Sequence, residues 1–364
     1  MYPSPVDPKP GYLALLESGE LDRRVERLYE LLSACTVCPR DCGNNRLENV
    51  LASCASGVDP VVSSFTPHFG EEPALSGTRG AGNIFFGNCN LRCVYCQNYQ
   101  ISQDFAAQKG NTVSVERVAE MMLELQRRGC HNIGFVSPTH YAPQMARAVL
   151  LAARAGLSLP IVYNTNAYDS VEVLRLLEGI VDVYLPDFKY ADSAAGWLYS
   201  KVPDYAERSR EALIEMYRQR GSGLVFGEDG LLKAGLLVRV LVLPNNAAGV
   251  SESLAWIAET LSPRVAISLM AQYYPIHRAA SNAKYSDLSR SITAGEWEEA
   301  LGALEANGLG NGYQQELETA NRYYRPDFTD PKTPFRDIRD FSAGARSEEL
   351  SLPRRGLARE PGQP

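Results

Sequence analysis

Long apolar runs are missing from this chain of 364 residues: none reaches the roughly 20 residues needed to cross a bilayer, so no membrane role is expected. The N-terminus, MYPSPVDPKPGYLALLESGELDRR, lacks the basic-then-apolar layout of a secretion signal, and a cytoplasmic location is expected. An excess of positive charge is missing as well. Lys and Arg number 36 against 43 Asp and Glu, a formal net charge of −7, which argues against a mainly electrostatic nucleic-acid binder. No internal repeat is evident, and no linker separates two true domains. Cysteine is absent after residue 130, because all eight thiols lie at 35, 38, 42, 54, 89, 93, 96 and 130. In a reducing compartment such clustering points to metal ligation or catalysis more than to disulfides.

What is present is a rhythm. Short apolar runs occur at NIFFGN (83–88), NIGFVS (132–137), IVYNT (161–165), VDVYLPD (181–187), LLVRVLVL (236–243) and VAISLM (265–270). Amphipathic stretches with helical ends separate them. Ser114 is placed to cap VERVAEMMLELQRR, whose Val115, Val118, Met122 and Leu125 share a face, and Gly129 stops it. Strand–helix alternation of this kind predicts an α/β fold with a parallel sheet, as a barrel or as an open doubly wound sheet. Both place ligands at the C-terminal ends of the strands. A single helix is predicted from Tyr12 to about Ser33. After about Asn321 the periodicity stops, and a mostly disordered tail is predicted.

The loop that follows the first predicted strand reads FFGNCNLRCVYCQNYQIS and carries Cys89, Cys93 and Cys96 as C-x3-C-x2-C. Three thiolates hold three irons of a four-iron cluster and leave the fourth open for a small molecule. Zinc is the alternative, and its tetrahedron would need a further ligand such as His68 or His140. The loop resembles that of the radical S-adenosylmethionine (SAM) superfamily, in which an aromatic residue, here Tyr95, precedes the last cysteine. CNLRCVYCQN resembles more narrowly the cluster loop of pyruvate formate-lyase activating enzymes. NTNAY (164–168), Asp187-Phe188-Lys189 and Arg239 in LVRVLVLP are similar to further segments of those enzymes. CPRDCGNNR, PHFGEEPALSG, SPTHY and YLPDFKY are similar to one broadly distributed branch of their homologues. The similarity spans roughly residues 30–310.

That resemblance implies a partial (β/α)6 TIM-like barrel over 79–312, preceded by an N-terminal helix and cysteine-rich extension (1–78) and followed by the tail (313–364). It implies a [4Fe-4S] cluster on Cys89, Cys93 and Cys96, bound SAM, and an oxidoreductase forming a 5′-deoxyadenosyl radical that abstracts hydrogen from a substrate. A glycyl residue of a partner enzyme is one such substrate; another protein, a peptide or a small molecule is the alternative. Reduced flavodoxin or ferredoxin is the expected electron donor. Tyr95, Asn98, Ser137, Thr139, Asn164, Asn166, Asp187, Lys189 and Arg239 are the expected cofactor contacts. For Arg239 a buried structural ion pair is equally open. Ser137-Pro138-Thr139-His140-Tyr141 stands where many relatives carry G-G-E-P, so Ser137, Thr139 and local carbonyls are expected to hold the SAM amino group.

Other residues carry weaker signals. Cys35, Cys38, Cys42 and Cys54 read C-x2-C-x3-C-x11-C, which suits structural zinc or a second iron–sulfur cluster. A zinc-stapled binding protein without turnover is the corresponding non-catalytic reading. His68, Glu71 and Glu72 either handle protons or grip substrate, or form an ordinary solvated loop. His140 is expected to satisfy a loop carbonyl, Cys130 to fill the core, and His277 carries no usable signal.

Overall fold

The computed structural model describes residues 8–317, 326–328 and 334–335. Its strands are β1 (Val62–His68), β2 (Ala81–Phe86), β3 (Ile133–Val136), β4 (Ile161–Thr165), β5 (Val183–Pro186), β6 (Val225–Phe226), β7 (Leu232–Leu241), β8 (Ala266–Met270) and β9 (Gly312–Gln314). All six predicted strands are there. They run parallel in the order β2-β3-β4-β5-β7-β8, and helices cover the crossovers. The sheet is open, consistent with a partial barrel. β2, β3, β5 and β8 are buried along their whole length, as strands with both faces covered must be.

Three strands escaped the sequence reading. β1 pairs antiparallel with β2, so the sheet begins inside the cysteine-rich extension. Its Pro67 donates no N–H, which restricts it to an edge and blunts its strand signal. β6 is a two-residue hairpin arm on β7. β9 adds parallel to β8 and brings Tyr313 and Gln314, assigned to the tail, into the sheet. The predicted tail otherwise falls mostly outside the described residues. Within it, Phe328 is buried against Phe85, Ile101 and Val136.

Two of the long helices begin at side-chain caps. Ser114 Oγ accepts from the Arg117 N–H at 3.2 Å, and Val115, Val118, Met122 and Leu125 of Val115–Arg127 are buried. Thr293 and Glu296 form a reciprocal capping box on Ala294–Ala306. The single N-terminal helix is instead two, Gly11–Glu17 and Glu20–Glu30, divided at Gly19. Gly19 has a φ of 69°, a left-handed turn that helical periodicity cannot reveal.

Asp182, in the turn before β5, ties this N-terminal unit to the sheet. Its two carboxylate oxygens accept the Gly11 N–H at 2.9 Å and the Ile161 N–H at 2.8 Å. Burial pushes its carboxyl up to about 6, and the two N–H donors oppose that rise. Asp182→Ala would orphan two backbone donors, one of them fully buried. We expect a loss of roughly 1–3 kcal/mol for each unsatisfied donor in urea unfolding; wild-type stability would show that water replaces the carboxylate at no cost.

Candidate functional site

The chain leaves β2 through Gly87 and Asn88 into the cysteine loop. Asn88 adopts a left-handed φ of 64°, and its N–H donates to the Ile101 carbonyl at 2.7 Å, which folds the loop over the sheet end. Each cysteine sulfur then meets a polar partner from elsewhere. Cys89 Sγ accepts from the Leu91 N–H at 3.4 Å and the Asn166 amide at 3.6 Å. Cys93 Sγ lies 3.0 Å from Ser200 Oγ, and Cys96 Sγ lies 3.2 Å from Ser102 Oγ. Burial pushes both the Cys93 and Cys96 thiols up, the latter to about 12.

These three cysteines line one cavity of about 820 Å3 at the C-terminal ends of the parallel strands. Tyr95, Asn98, Ser137, Asn164, Asn166, Asp187, Lys189 and Arg239 line it too. Thr139 does not. Its hydroxyl sits 2.9 Å from that of Thr165, which donates to the buried Asp169 at 2.5 Å. The turn after β3 thus offers Ser137 alone, held in a left-handed φ of 56° while its N–H donates to the Asn164 carbonyl at 2.9 Å. Asn166 spends its amide on Asn90 Oδ1, at 2.8 Å, as well as on Cys89. It therefore braces the cysteine loop from the end of β4.

Two ion pairs supply the charge. Lys189 Nζ donates to Asp187 Oδ2 at 2.7 Å. Burial works against the Lys189 ammonium, yet Asp187 and Cys93 outweigh it and raise its proton affinity. Deeper in, Arg239 Nε donates to Glu72 Oε1 at 2.8 Å, and its Nη2 reaches both Glu72 and Glu71. The solvated-loop reading of Glu71 and Glu72 is therefore overturned, since their side chains are only 10 % and 7 % exposed. A buried guanidinium requires this compensation. Burial alone would raise the Glu71 carboxyl, but Arg239 and then His68 hold it down at about 2. Asn83 Nδ2 adds a bond to Glu71 at 2.6 Å. Gly134 on β3 makes room for that amide, because a Cβ there would lie 2.2 Å from Asn83 Oδ1.

The histidines part company. His68 borders the cavity, whereas Nε2 of buried His140 lies 3.0 Å from the Gly87 carbonyl, the loop-carbonyl role expected of it. His140 is thus not a fourth ligand for the three-cysteine loop. His277 stacks on Tyr99 at 4.8 Å, and Cys130 is a buried core residue.

Comparison with known proteins gives this site a family. A family model described as Radical SAM superfamily matches residues 83–231. That stretch is a radical SAM superfamily domain. The chain is 30 % identical over 303 residues to the uncharacterized protein MJ0674 of Methanocaldococcus jannaschii, covering 82 % of each chain. It is 25 % identical over 173 residues to MJ0808 of the same organism, 42 % of this chain and 48 % of that one. A crystal structure of HydG, a maturase of the [FeFe]-hydrogenase, is similar at a TM-score of 0.41 and 13 % identity, over 82 % of this chain; the chain spans 65 % of that protein's length.

A radical SAM superfamily domain implies a [4Fe-4S] cluster and SAM, and the residues fit both. Three thiols on one loop open into a cavity large enough for a cluster and a nucleoside. Two of the thiols are held neutral by burial, and bound iron would supply the cation that stabilises thiolates there. Among the described residues no helix is long and apolar enough to cross a membrane.

Several residues that build this radical SAM site gave no signal in the sequence. Tyr205 Oη accepts the Lys189 N–H at 3.0 Å and lies 2.8 Å from the Asn166 carbonyl and 2.9 Å from that of Asp187, so it staples two strand ends. Tyr190 Oη meets Ser200 Oγ at 2.7 Å behind Cys93. Both sit among many other tyrosines in the sequence, and only the fold selects them.

Arg239→Ala would leave Glu71 and Glu72 buried without a cation. Breaking a buried pair this way costs about 3–5 kcal/mol, read by denaturant unfolding near pH 7. The pH dependence inverts. In wild type, the depressed Glu71 contributes stability above its unfolded value near 4.3, and that contribution is lost as pH falls toward about 2. In the variant, burial holds the Glu71 carboxyl above its unfolded value, so stability should be regained on acidification. An Arg239→Ala protein as stable as wild type near pH 7 would refute the compensation.

Proposed function

We propose that this chain is a SAM-dependent radical enzyme that abstracts hydrogen from a glycyl residue of a partner enzyme, in the manner of pyruvate formate-lyase activating enzymes. One observation carries the catalytic part of the reading. Cys89, Cys93 and Cys96 share a single cavity with Asn164, Asp187, Lys189 and Arg239, which come from strands far apart in sequence. Cys89, Cys93 and Cys96 would hold the cluster. When bound, the cluster and SAM together supply a one-electron reductive cleavage and a strong hydrogen-abstracting agent. The chain's own residues position and shield. The Asp187 carboxylate and Lys189 ammonium offer one charge of each sign to ribose or methionine groups. Tyr95, packed edge-on against Tyr190 and Tyr273, walls the cavity behind Cys96 and keeps water from that side. Arg239 enters already gripped by two glutamates, so we assign it to positioning the wall that faces the cofactor. The glycyl substrate is supported by the likeness of CNLRCVYCQN, NTNAY and Asp187-Phe188-Lys189 to the activating enzymes.

A second substrate reading, a peptide or small molecule, draws on a different feature. Pro326 and Phe335 line the cavity, so these two residues narrow the approach for a folded partner. Anaerobic reconstitution with iron and sulfide, then reduction by flavodoxin in the presence of SAM, tests the shared core: 5′-deoxyadenosine should accumulate. A glycyl radical signal on an added glycyl-radical enzyme supports the first substrate; SAM cleavage without it supports the second.

Cys93→Ser should abolish 5′-deoxyadenosine formation and bleach the cluster, since no spare thiol lies in register. Unchanged iron content and cleavage would sink the assignment. Asp187→Ala should keep its iron but weaken SAM binding by roughly ten- to a hundredfold, the cost of one charge-assisted hydrogen bond. Wild-type affinity by calorimetry would remove Asp187 from the pocket.

A further inference from the structure

Between the helix ending at Glu30 and β1 starting at Val62 the chain forms no helix or strand. A span of this length without regular structure is uncommon inside a compact fold. The segment buries few large apolar side chains of its own: Leu32, Val37 and Val61 are buried, whereas Leu47, Val50 and Leu51 are exposed at 44 %, 48 % and 58 %. What else it buries is chemical. Cys35, Cys38 and Cys54 are buried, and with the exposed Cys42 they line one small cavity. Arg46, 1 % exposed, lines it as well.

Arg46 lacks an anion. Its guanidinium donates to the Gly57 carbonyl at 3.0 Å and the His140 carbonyl at 2.6 Å, and Nη1 lies 3.9 Å from Cys35 Sγ. Among the described residues no carboxylate forms an ion pair with it. A buried cation with only neutral acceptors is costly, and thiolates in the same cavity would compensate it. His140 supplies a second unpaired group. A carbonyl can only accept, so Nε2 carries the proton shared with Gly87, while the buried Nδ1 has no hydrogen-bond partner. It too belongs to a residue lining the cavity.

We propose that Cys35, Cys38, Cys42 and Cys54 bind a single zinc ion, with Arg46 balancing the charge of the thiolates. The small size of the cavity favours one ion over a cluster. At about 10 Å3 it holds one water-sized sphere, whereas the cavity at Cys89, Cys93 and Cys96 is about 820 Å3. Each ligating thiol gives its proton to solvent, and four thiolates on Zn2+ leave a net charge of −2 beside Arg46. Among the described residues no three His, Cys, Asp or Glu side chains are gathered for an ion as they stand, so the metal draws these sulfurs inward.

The ion would brace the catalytic loop. Arg40, two residues beyond Cys38, donates to the Asn90 carbonyl; Asn88 Nδ2 donates to the Ala55 carbonyl at 2.9 Å; Arg92 donates to the Ser53 carbonyl. The cysteine segment thereby touches the loop of Cys89 and Cys93 at three points.

The test is elemental analysis of full-length protein, as wild type, as Cys35→Ser/Cys38→Ser, and as Cys89→Ser/Cys93→Ser/Cys96→Ser. Wild type and the triple variant should each retain one zinc per chain. The double variant should lose it, and its remaining cluster should bleach faster in air. Should the double variant fail to fold, cobalt(II) titration of the triple variant gives the same answer. One equivalent should bind with the intense red-region bands of a tetrahedral thiolate site, and zinc should displace it. A second complement of iron and sulfide that depends on Cys35 and Cys38 overturns the proposal. So does equal zinc in wild type and double variant, or cobalt binding without those bands.

Discussion

Arg239 and the two glutamates that grip it are the interaction around which the cavity wall is organised. The guanidinium sits on β7, in the middle of the sheet, where an unpaired charge could not stay. Its partners arrive from the turn after β1, 167 and 168 residues away. Asn83 on β2 holds Glu71, and Gly134 on β3 leaves space for Asn83. Two strands and one turn therefore share a single polar network, and a third strand makes room for it. The wall it forms is fixed before any cofactor enters, which is the preorganisation that charged sites need to act without rearrangement.

Tyrosine hydroxyls do similar work on the opposite side. Tyr190 and Tyr205 are fully buried, stand edge-on at 5.2 Å, and point polar tips at the cysteine loop and the strand ends. A large ring fills volume between strand ends and helix, and its hydroxyl satisfies carbonyls that the ladder leaves open at those ends. Cys93 meets this wall through Ser200, and Cys89 meets β4 through Asn166. The loop that would carry iron is thus pinned at each thiol by a different element, although all three thiols come from eight consecutive residues.

Much of this was legible in advance because its causes are local. Strand and helix periods repeat within ten residues, so all six parallel strands and the capped helix Val115–Arg127 could be read directly. Three cysteines spaced C-x3-C-x2-C after a strand need no distant partner to announce a cluster loop. Asp187, Lys189 and Arg239 were legible as polar residues on or just beyond apolar strands. β1 and the break at Gly19 were not: an edge strand carrying proline has a weak pattern, and a left-handed turn leaves no mark on helical spacing.

The sequence by itself determined the parallel α/β plan and the three-cysteine loop, since both follow from residue order over short windows. The tertiary structure alone decided which partner each polar group takes. Glu71 and Glu72 became the counter-ions of Arg239 and not a solvated loop, because β1 pairs antiparallel with β2 and carries the following turn beneath β7. Thr139 turned to Thr165 and away from the cavity, and His140 joined the first cysteine group and not the second. Those choices depend on contacts between residues from 26 to 168 positions apart. No local period encodes them; burial enforces them, because a polar group removed from water must find its partner wherever the fold has brought one.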